Sequence, residues 1–189
     1  TRSERDACVY TKKISTGDLV YLLLYVDDML LAAKDLKDVK RFKEQLESSF
    51  KMKYLGPARR ILGMDIFRDR EKGLLRLSQT YYIKKVVTNF RMEGAKPTAT
   101  PIGAHFKLSA MKEPEEAIDT DIVPYASAVG SIMYAMVGSR PDLAYAIGLV
   151  SRFMSRPGEF HWEAVKWLLR YMKGSTEVQL VYSQEKVFK

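Results

Sequence analysis

The stretch YLLLYVDDMLLAAKD, residues 21 to 35, places two adjacent aspartates between two apolar runs. The continuous apolar run before them is typical of a central strand covered on both faces, and it predicts a strand over 19–26. The MLLAA run predicts a strand that returns alongside, with Asp27 and Asp28 at the tip of the hairpin. Adjacent carboxylates at the end of a buried strand repel each other and lose solvation, so they are costly unless a cation lies beside them.

The carboxylate pair is a candidate metal site. The stretch contains no histidine or cysteine, and carboxylate oxygens are the ligands that a hard divalent cation prefers, such as Mg²⁺ or Mn²⁺ in its place. Two such ions about 3.5–4 Å apart are a common arrangement for nucleotidyl transfer. The simpler interpretation is a hairpin turn that binds nothing, because aspartate is a favoured turn residue. The pair by itself leaves both interpretations open.

Composition bounds the class of protein. The chain has 189 residues, of which 47% are hydrophobic, enough for one core or two small ones. One cysteine, Cys8, and two histidines rule out an internal disulfide, disfavour a zinc site and fit a reducing compartment. The 31 Lys and Arg residues against 23 Asp and Glu give a net charge of +8. This charge favours a polyanionic partner and is equally compatible with a solvated basic surface.

The sequence carries no targeting signal that we can identify. It contains no signal peptide and no apolar span of 18 residues, so we expect a soluble protein without a membrane partner. The chain begins at Thr1, without methionine or a leader. We therefore expect it to be a piece of a longer polypeptide.

Periodicity predicts strands and one helix in the first part of the chain. Apolar residues at helical spacing from Leu36 to Phe50 predict an amphipathic helix with Asp35 as its N-cap. Apolar runs bounded by turn residues predict two hairpins. Their strands are expected near 7–13 and 19–26, and near 60–67 and 74–77.

The remainder is predicted to be mainly helical. Ser78 caps the short amphipathic helix QTYYIKKVVTNF, which is followed by the linker AKPTATPIG and a loop that reaches Asp121. Proline at the first helical position and glycine after the last one predict further helices. These are expected over 124–137, 141–154 and 159–172, before a closing strand at 178–182.

Three side chains of the last helix could suggest chemistry. His161 and Trp162 lie at its start, and Trp167 lies further along it. On an amphipathic helix such residues usually pack against a core or cap the helix end, and we expect that role here.

The string YVDD after an apolar strand resembles the catalytic box of reverse transcriptases. The rest of the chain resembles one branch, the copia-type LTR retrotransposons, through segments that occur in family order and cover nearly the whole chain. These segments are CVYTKK, YLLLYVDDMLLAAKD, FKMKYLG, ILGMDIFRDREKGLLRLSQTYYI, KPTATP, YASAVGSIMYAMVGSRPDLAYAIGLVSRFMSRPG and HWEAVKWLLRYMKGS. The ordered set is far more specific than YVDD by itself.

The resemblance implies an α+β fold, with a partial antiparallel palm sheet and one covering helix followed by a helical thumb- and connection-like module. Residues 1–77 would be the partial palm, with the YVDD hairpin and a primer-grip hairpin. Residues 78–189 would be the thumb- and connection-like region, which ends before a ribonuclease H domain. By the resemblance, the third metal-binding aspartate would lie on an earlier palm strand, and we expect that strand and the fingers to lie outside this chain.

The resemblance also assigns candidate site residues. Asp27 and Asp28 would be the catalytic carboxylates and the metal ligands, with Asp27 the more direct ligand of both ions. Tyr25 and Val26 would lie near the primer terminus. ILGMDI matches the primer grip and would place Leu62–Gly63 against the primer backbone, although the glycine equally suits a simple bulge.

Four lysines are candidates for contacts with nucleic acid. Lys84 and Lys85 are basic residues that would contact phosphates of a template–primer. Lys51 and Lys53 fall in the region where polymerases carry a general-acid lysine. We prefer a phosphate-facing or solvated lysine at both positions, since the match is loose.

The implied activity is RNA- and DNA-templated DNA synthesis with Mg²⁺. The partners would be a template–primer, dNTPs, and the upstream palm and fingers and downstream ribonuclease H of the same polyprotein. The location would be the cytoplasm, in the virus-like particle of the element, or the nucleus. The alternatives are an inactive remnant that binds nucleic acid through its basic surface, and a structural domain whose aspartates bind nothing.

Overall fold

In the computed structural model, which describes residues 1–110 and 117–183, the chain forms two compact units, Thr1–Ile61 and Leu62–Lys189. The described residues contain two small antiparallel sheets and five α-helices. The α+β fold expected from the sequence is therefore confirmed. Every helix in these ranges is too short or too polar to cross a bilayer.

The first unit is a three-stranded antiparallel sheet followed by a helix. The strands, in the spatial order β1–β2–β3, are β1 (Val9–Lys13), β2 (Leu19–Tyr25) and β3 (Asp28–Ala33), and the helix is α1 (Leu36–Ser49). The Asp35 carboxylate accepts a hydrogen bond of 3.1 Å from the Lys37 backbone N–H. The predicted N-cap of α1 is thus confirmed.

Helix α1 covers one face of this sheet. Lys12 pairs with Val20 across β1 and β2, and its ammonium lies 4.9 Å from the centroid of the Phe42 ring on α1. Val20 on that face is 2% exposed, whereas Tyr21 and Tyr25 on the opposite face are 46% and 50% exposed. The prediction that β2 is covered on both faces is therefore wrong within the described residues, because the one helix of this unit occupies one face.

The described residues after α1 form a second sheet and four helices. The sheet has the order β4–β5–β6–β7, with strands β4 (Arg60–Ile61), β5 (Met64–Asp69), β6 (Leu74–Ser78) and β7 (Leu180–Ser183). The helices are α2 (Thr80–Asn89), α3 (Tyr125–Gly138), α4 (Ala144–Val150) and α5 (Glu159–Gly174). The predicted closing strand is confirmed, since β7 pairs with β6 in antiparallel register.

The inner faces of α2, α3, α4 and α5 form the core of the second unit. Their apolar side chains recur every three or four residues and are at most 4% exposed. Full burial of one large apolar side chain contributes roughly 1.5–3 kcal/mol. Core residues include Ile83, Val87, Val129, Ile132, Ile147, Leu168 and Leu169. The second unit therefore has a core of its own.

One charged side chain lies inside this unit. Arg140 is 0% exposed, and its guanidinium donates to both carboxylate oxygens of Asp142, at 2.9 and 2.7 Å. It also donates to the carbonyl and hydroxyl oxygens of Ser175, and the Tyr171 hydroxyl donates to Asp142. A buried charge is stable only with such partners. The network ties the segment before α4 to the end of α5.

Two predicted elements are interrupted. The expected strand over 60–67 is broken at Leu62–Gly63, where the φ angles of +49° and +72° leave the strand region. The expected helix over 141–154 is a 3₁₀ turn, then α4, then a second 3₁₀ turn. Residues 111–116 of the predicted loop that reaches Asp121 lie outside the described residues.

The α5 side chains that were expected to pack or cap do so. His161 is 1% exposed, its Nδ1 accepts a hydrogen bond from the Gly158 N–H, and its Nε2 lies 2.8 Å from the Ser109 carbonyl oxygen. Trp162 packs against the core, and the Trp167 indole N–H donates to a backbone carbonyl in the linker. These three residues are therefore structural.

Candidate functional site

The YVDD segment forms a two-residue hairpin turn. Strand β2 ends at Tyr25 and β3 begins at Asp28, and these residues are ladder partners, so Val26 and Asp27 are the central residues of the turn. Val26 has a φ of +50° and is 81% exposed, whereas the φ of Asp27 is not positive. A positive φ at the first central position only is the pattern of a type II′ turn, which suits tight hairpins.

This turn differs from the predicted one in one respect. Its tip is Val26–Asp27, because Asp28 is already the first residue of β3. The positive φ of the turn lies at Val26, where a branched side chain makes it costly by roughly 1–2 kcal/mol. Such strain persists only where the surrounding structure fixes it, and it is concentrated at functional sites.

Both carboxylates are available to a ligand. Asp27 and Asp28 are exposed, and in the described part of the chain neither side chain forms a hydrogen bond or an ion pair. Asp28 shares the sheet face of its ladder partner Tyr25, opposite the face covered by α1. The prediction that the pair lies at the end of a buried strand is wrong, because Leu24 and Tyr25 at the end of β2 are exposed.

A second tight turn precedes β5. Leu62 and Gly63 both have positive φ, which is the pattern of a type I′ turn, and Gly63 is exposed. A Cβ atom on Gly63 would lie 3.8 Å from the Tyr134 hydroxyl, an ordinary contact. The backbone conformation, and not a lack of space, therefore favours glycine here. The residue lies in a turn and not in the bulge considered from the sequence.

Tyr134 on α3 holds this turn and is not among the site residues predicted from the sequence. Its hydroxyl donates a hydrogen bond of 2.6 Å to the Leu62 carbonyl oxygen. Its ring centroid lies 4.9 Å from that of Tyr82 on α2, whose hydroxyl donates to the Ser131 carbonyl on α3. Burial raises the pKa of Tyr82 above its ordinary value. The Tyr134–Leu62 contact spans 72 positions, so no local pattern signals it.

The four candidate lysines are exposed. Lys84 and Lys85 lie on the outer face of α2, and Lys84 Nζ lies 3.4 Å from a carboxylate oxygen of Glu177, in a pair that is exposed on both sides. Lys51 and Lys53 follow α1 in a segment without regular secondary structure. Exposed ammonium groups at these positions suit contacts with phosphates.

Comparison with known proteins decides the family. A family model described as reverse transcriptase (RNA-dependent DNA polymerase) matches residues 1–104, more than half of the chain, and this range includes both tight turns. The chain belongs to the reverse transcriptase family. No solved structure matches this reverse transcriptase chain.

The curated relatives of this reverse transcriptase chain include transposon proteins. A retrovirus-related Pol polyprotein from transposon TNT 1-94 of Nicotiana tabacum is 53% identical over 90% of this chain and 13% of the polyprotein. A putative transposon Ty5-1 protein of Saccharomyces cerevisiae is 33% identical over 96% of this chain and 57% of its own length. The Pol polyprotein from transposon RE1 of Arabidopsis thaliana is 34% identical over 83% of this chain and 10% of its own. The predicted copia-type relationship is confirmed, and the chain spans a small part of these polyproteins.

The described residues supply part of a ligand set for the divalent metal that the reverse transcriptase family implies. In residues 1–110 and 117–183, no group of three or more His, Cys, Asp or Glu side chains could hold a metal ion. Asp27 and Asp28 still offer exposed carboxylate oxygens at one turn, which is the donor type that Mg²⁺ prefers. The two aspartates therefore fit as part of a set that substrate phosphates, water or a further carboxylate would complete.

Proposed function

We propose that this chain is part of the RNA-directed DNA polymerase of a copia-type retrotransposon and carries two of its catalytic carboxylates. The observation that carries the proposal is the YVDD turn, where Asp27 and Asp28 are exposed and lack ion pairs within the described residues. Membership of the reverse transcriptase family supports the same function. The positive φ of Val26 adds support, because strain of this kind is concentrated at functional sites.

The two aspartates are metal ligands in this proposal. Asp27 and Asp28 would hold the divalent cations through their carboxylate oxygens, with Asp27 as the more direct ligand. A bound Mg²⁺ pair supplies activation of the primer 3′-hydroxyl and stabilisation of the triphosphate and the leaving group. Tyr25 and Val26, which are exposed at the turn, contact the primer terminus.

Primer binding is assigned to the Leu62–Gly63 turn and to exposed lysines. The glycine has no side chain, so that a phosphate can closely approach the peptide backbone of the turn. Lys84 and Lys85 add positive charge for phosphates of the template–primer. We assign Lys51 and Lys53 to phosphate contacts in preference to a general-acid role, because both are exposed in a segment without regular structure.

The substrates are an RNA or DNA template with its primer, and dNTPs. The net charge of +8 favours such polyanionic partners. In the parent polyprotein, an upstream palm and fingers segment would supply the third carboxylate and the nucleotide pocket. A ribonuclease H domain would follow the thumb- and connection-like region.

Primer extension by the full polymerase that contains this chain tests the proposal. We expect extension on RNA and DNA templates that requires Mg²⁺ and stops when the metal is chelated. Salt-dependent binding of template–primer without extension would favour the inactive nucleic-acid-binding remnant. Neither extension nor binding would favour a structural domain.

A further inference from the structure

We propose that Tyr134 is a positioning residue for the primer, because its hydroxyl fixes the Leu62–Gly63 peptide so that the Gly63 N–H faces outward as a hydrogen-bond donor to a primer phosphate. This inference rests on the proposed polymerase function and on the primer-binding role of the turn. It adds a specific donor, the Gly63 N–H, and a residue 72 positions from Leu62 that orients it.

The direction of the donor follows from the planarity of the peptide. The Leu62 carbonyl and the Gly63 N–H belong to one trans peptide and point to opposite sides of it. Since the Tyr134 hydroxyl lies 2.6 Å from that carbonyl oxygen, the N–H points away from Tyr134. Gly63 is exposed and has no side chain to cover its N–H. An anionic oxygen can therefore approach it, as anions approach backbone N–H groups in other turns.

The hydrogen bond also selects between two conformations of the turn. Two-residue hairpin turns favour types I′ and II′, and a flip of the central peptide converts one into the other. Leu62 and Gly63 have φ angles of +49° and +72°, which match type I′. A flip to type II′ would break the bond from Tyr134 and reverse the direction of the Gly63 N–H. Tyr134 therefore stabilises the conformation in which the donor faces outward.

Tyr134 is held in place by its neighbour on α2. The ring centroids of Tyr134 and Tyr82 lie 4.9 Å apart with an angle of 56° between the ring planes, a tilted arrangement that aromatic pairs favour. The Tyr82 hydroxyl donates to the Ser131 carbonyl at 3.0 Å, one turn before Tyr134 on α3. Tyr134 is 47% exposed, so water could compete for its hydroxyl. The contact with Tyr82 limits the movement of the Tyr134 ring and so keeps the hydroxyl at the Leu62 carbonyl.

Tyr134→Phe in the polymerase that contains this chain removes the hydroxyl and keeps the ring. We expect the rate of single-nucleotide extension at saturating dNTP to fall about tenfold, the order of effect of one lost hydrogen bond. The Kd for template–primer should change by less than about twofold, because affinity is spread over many phosphate contacts. Tyr145→Phe is the matched control, since Tyr145 on α4 is 73% exposed and lies outside the proposed site. It should leave the rate unchanged.

A second measurement separates positioning from a general loss of packing. Primers that carry a neutral methylphosphonate at one of their last phosphates are extended by the wild-type enzyme and by Tyr134→Phe. At the phosphate bound by the Gly63 N–H, neutralisation should slow the wild type strongly and the variant much less, because the two changes remove the same interaction. If neutralising a phosphate slowed the wild type and Tyr134→Phe by the same factor at every primer position, the inference would be overturned. A normal rate for Tyr134→Phe would also overturn it.

Asp27→Asn, measured in the same assay, keeps this inference distinct from the proposed function. If Asp27→Asn extends primers normally, the proposed function fails, whatever the result for Tyr134→Phe. If Asp27→Asn is inactive and Tyr134→Phe is normal, the positioning role of Tyr134 fails and the proposed function stands.

Discussion

At the residue scale, the backbone conformation of Gly63 restricts which side chains the position can accept. Its φ of +72° lies in the left-handed region, while the space around it would accept a Cβ atom. Gly63→Val forces a branched side chain into this conformation at a cost of roughly 1–2 kcal/mol or more. The strain falls on the peptide to which we assign the primer contact.

We predict that Gly63→Val in the full polymerase lowers the extension rate on the order of a hundredfold, the effect of a misplacement of about 1 Å. Template–primer affinity should change little, since it is spread over many phosphates. The rate is measured by extension kinetics, and the affinity is measured by template–primer binding at two salt concentrations. Thermal melting checks that the variant folds. Gly94→Val is the control, because Gly94 has open space around it and no positive φ. Equal losses of rate and affinity would make the turn a general binding surface.

At the scale of elements, α2 presents two adjacent lysines in different electrostatic surroundings. Lys84 is paired with Glu177, whereas Lys85 is exposed on the same outer face. An exposed ion pair contributes little to stability, about 0–1 kcal/mol, but the carboxylate of Glu177 offsets the charge that Lys84 can offer to a phosphate.

We predict that Lys85→Ala weakens template–primer binding and lowers the magnitude of the salt slope by about 1. Lys84→Ala should change the slope less. Glu177→Gln should strengthen binding, by up to about fivefold at low salt, because it releases Lys84. Binding titrations over a range of salt concentrations measure all three variants. Identical slopes for the two lysine variants would show that Glu177 has no influence.

Hydrogen bonds to Tyr171 and Ser175 tie the Arg140–Asp142 pair to α5 and its end, and the pair makes stability depend on pH. Burial opposes ionisation of Asp142, but the ion pair and hydrogen bonds with Arg140 outweigh it, so that the pKa of Asp142 is lowered. A carboxyl group with a lowered folded-state pKa stabilises the fold above its unfolded pKa of about 3.9. That stabilisation is lost as the pH falls through the folded-state value.

We predict that Asp142→Asn lowers the free energy of unfolding by about 2 kcal/mol at neutral pH. This is below the usual cost of breaking a buried pair, because Asp142 is 33% exposed. The difference from wild type should shrink below about pH 4, because the carboxyl group takes up a proton first in the unfolded chain, where its pKa is about 3.9. Urea unfolding at several pH values measures it, with the exposed Asp121→Asn as control. A difference that is constant from pH 7 to pH 3 would contradict this account.

Sequence periodicity predicts most of the helices and strands, and the features that it does not predict have local causes. The cap of α1 at Asp35 and the apolar face of α5 follow from side chains near in sequence, so both are predictable. The turn at Leu62–Gly63 lacks the Asn-Gly or Asp-Gly pair that usually signals a type I′ turn. The 3₁₀ turns on either side of α4 differ from an α-helix only in that their hydrogen bonds join residues three positions apart and not four. The pattern of apolar residues does not determine which spacing forms.

At the scale of the whole molecule, the carboxylates can be predicted from the sequence but their surroundings cannot. YVDD identifies Asp27 and Asp28 directly, whereas their exposure depends on what covers the sheet, and in the described residues α1 covers one face. Tyr134 is missed because its contact with Leu62 forms only in the folded second unit.

The chain by itself should not extend a primer. Among the described residues, no third carboxylate joins Asp27 and Asp28 in a group that could hold a metal, so the cations would be under-coordinated. A primer-extension assay on the purified chain with Mg²⁺ measures this. Robust metal-dependent extension would show that the chain already contains a complete site.

The most direct test of the central claim is the extension rate of Asp27→Asn in the full polymerase, measured beside template–primer affinity. We predict a fall on the order of a thousandfold or more with affinity within about twofold, because the change removes a metal ligand and no basic contact. Asp28→Asn should be harmful to a smaller extent, and Glu44→Gln, an equal charge change on the exposed side of α1, should be normal. Near-normal turnover by Asp27→Asn would contradict the account and leave YVDD as a hairpin turn only.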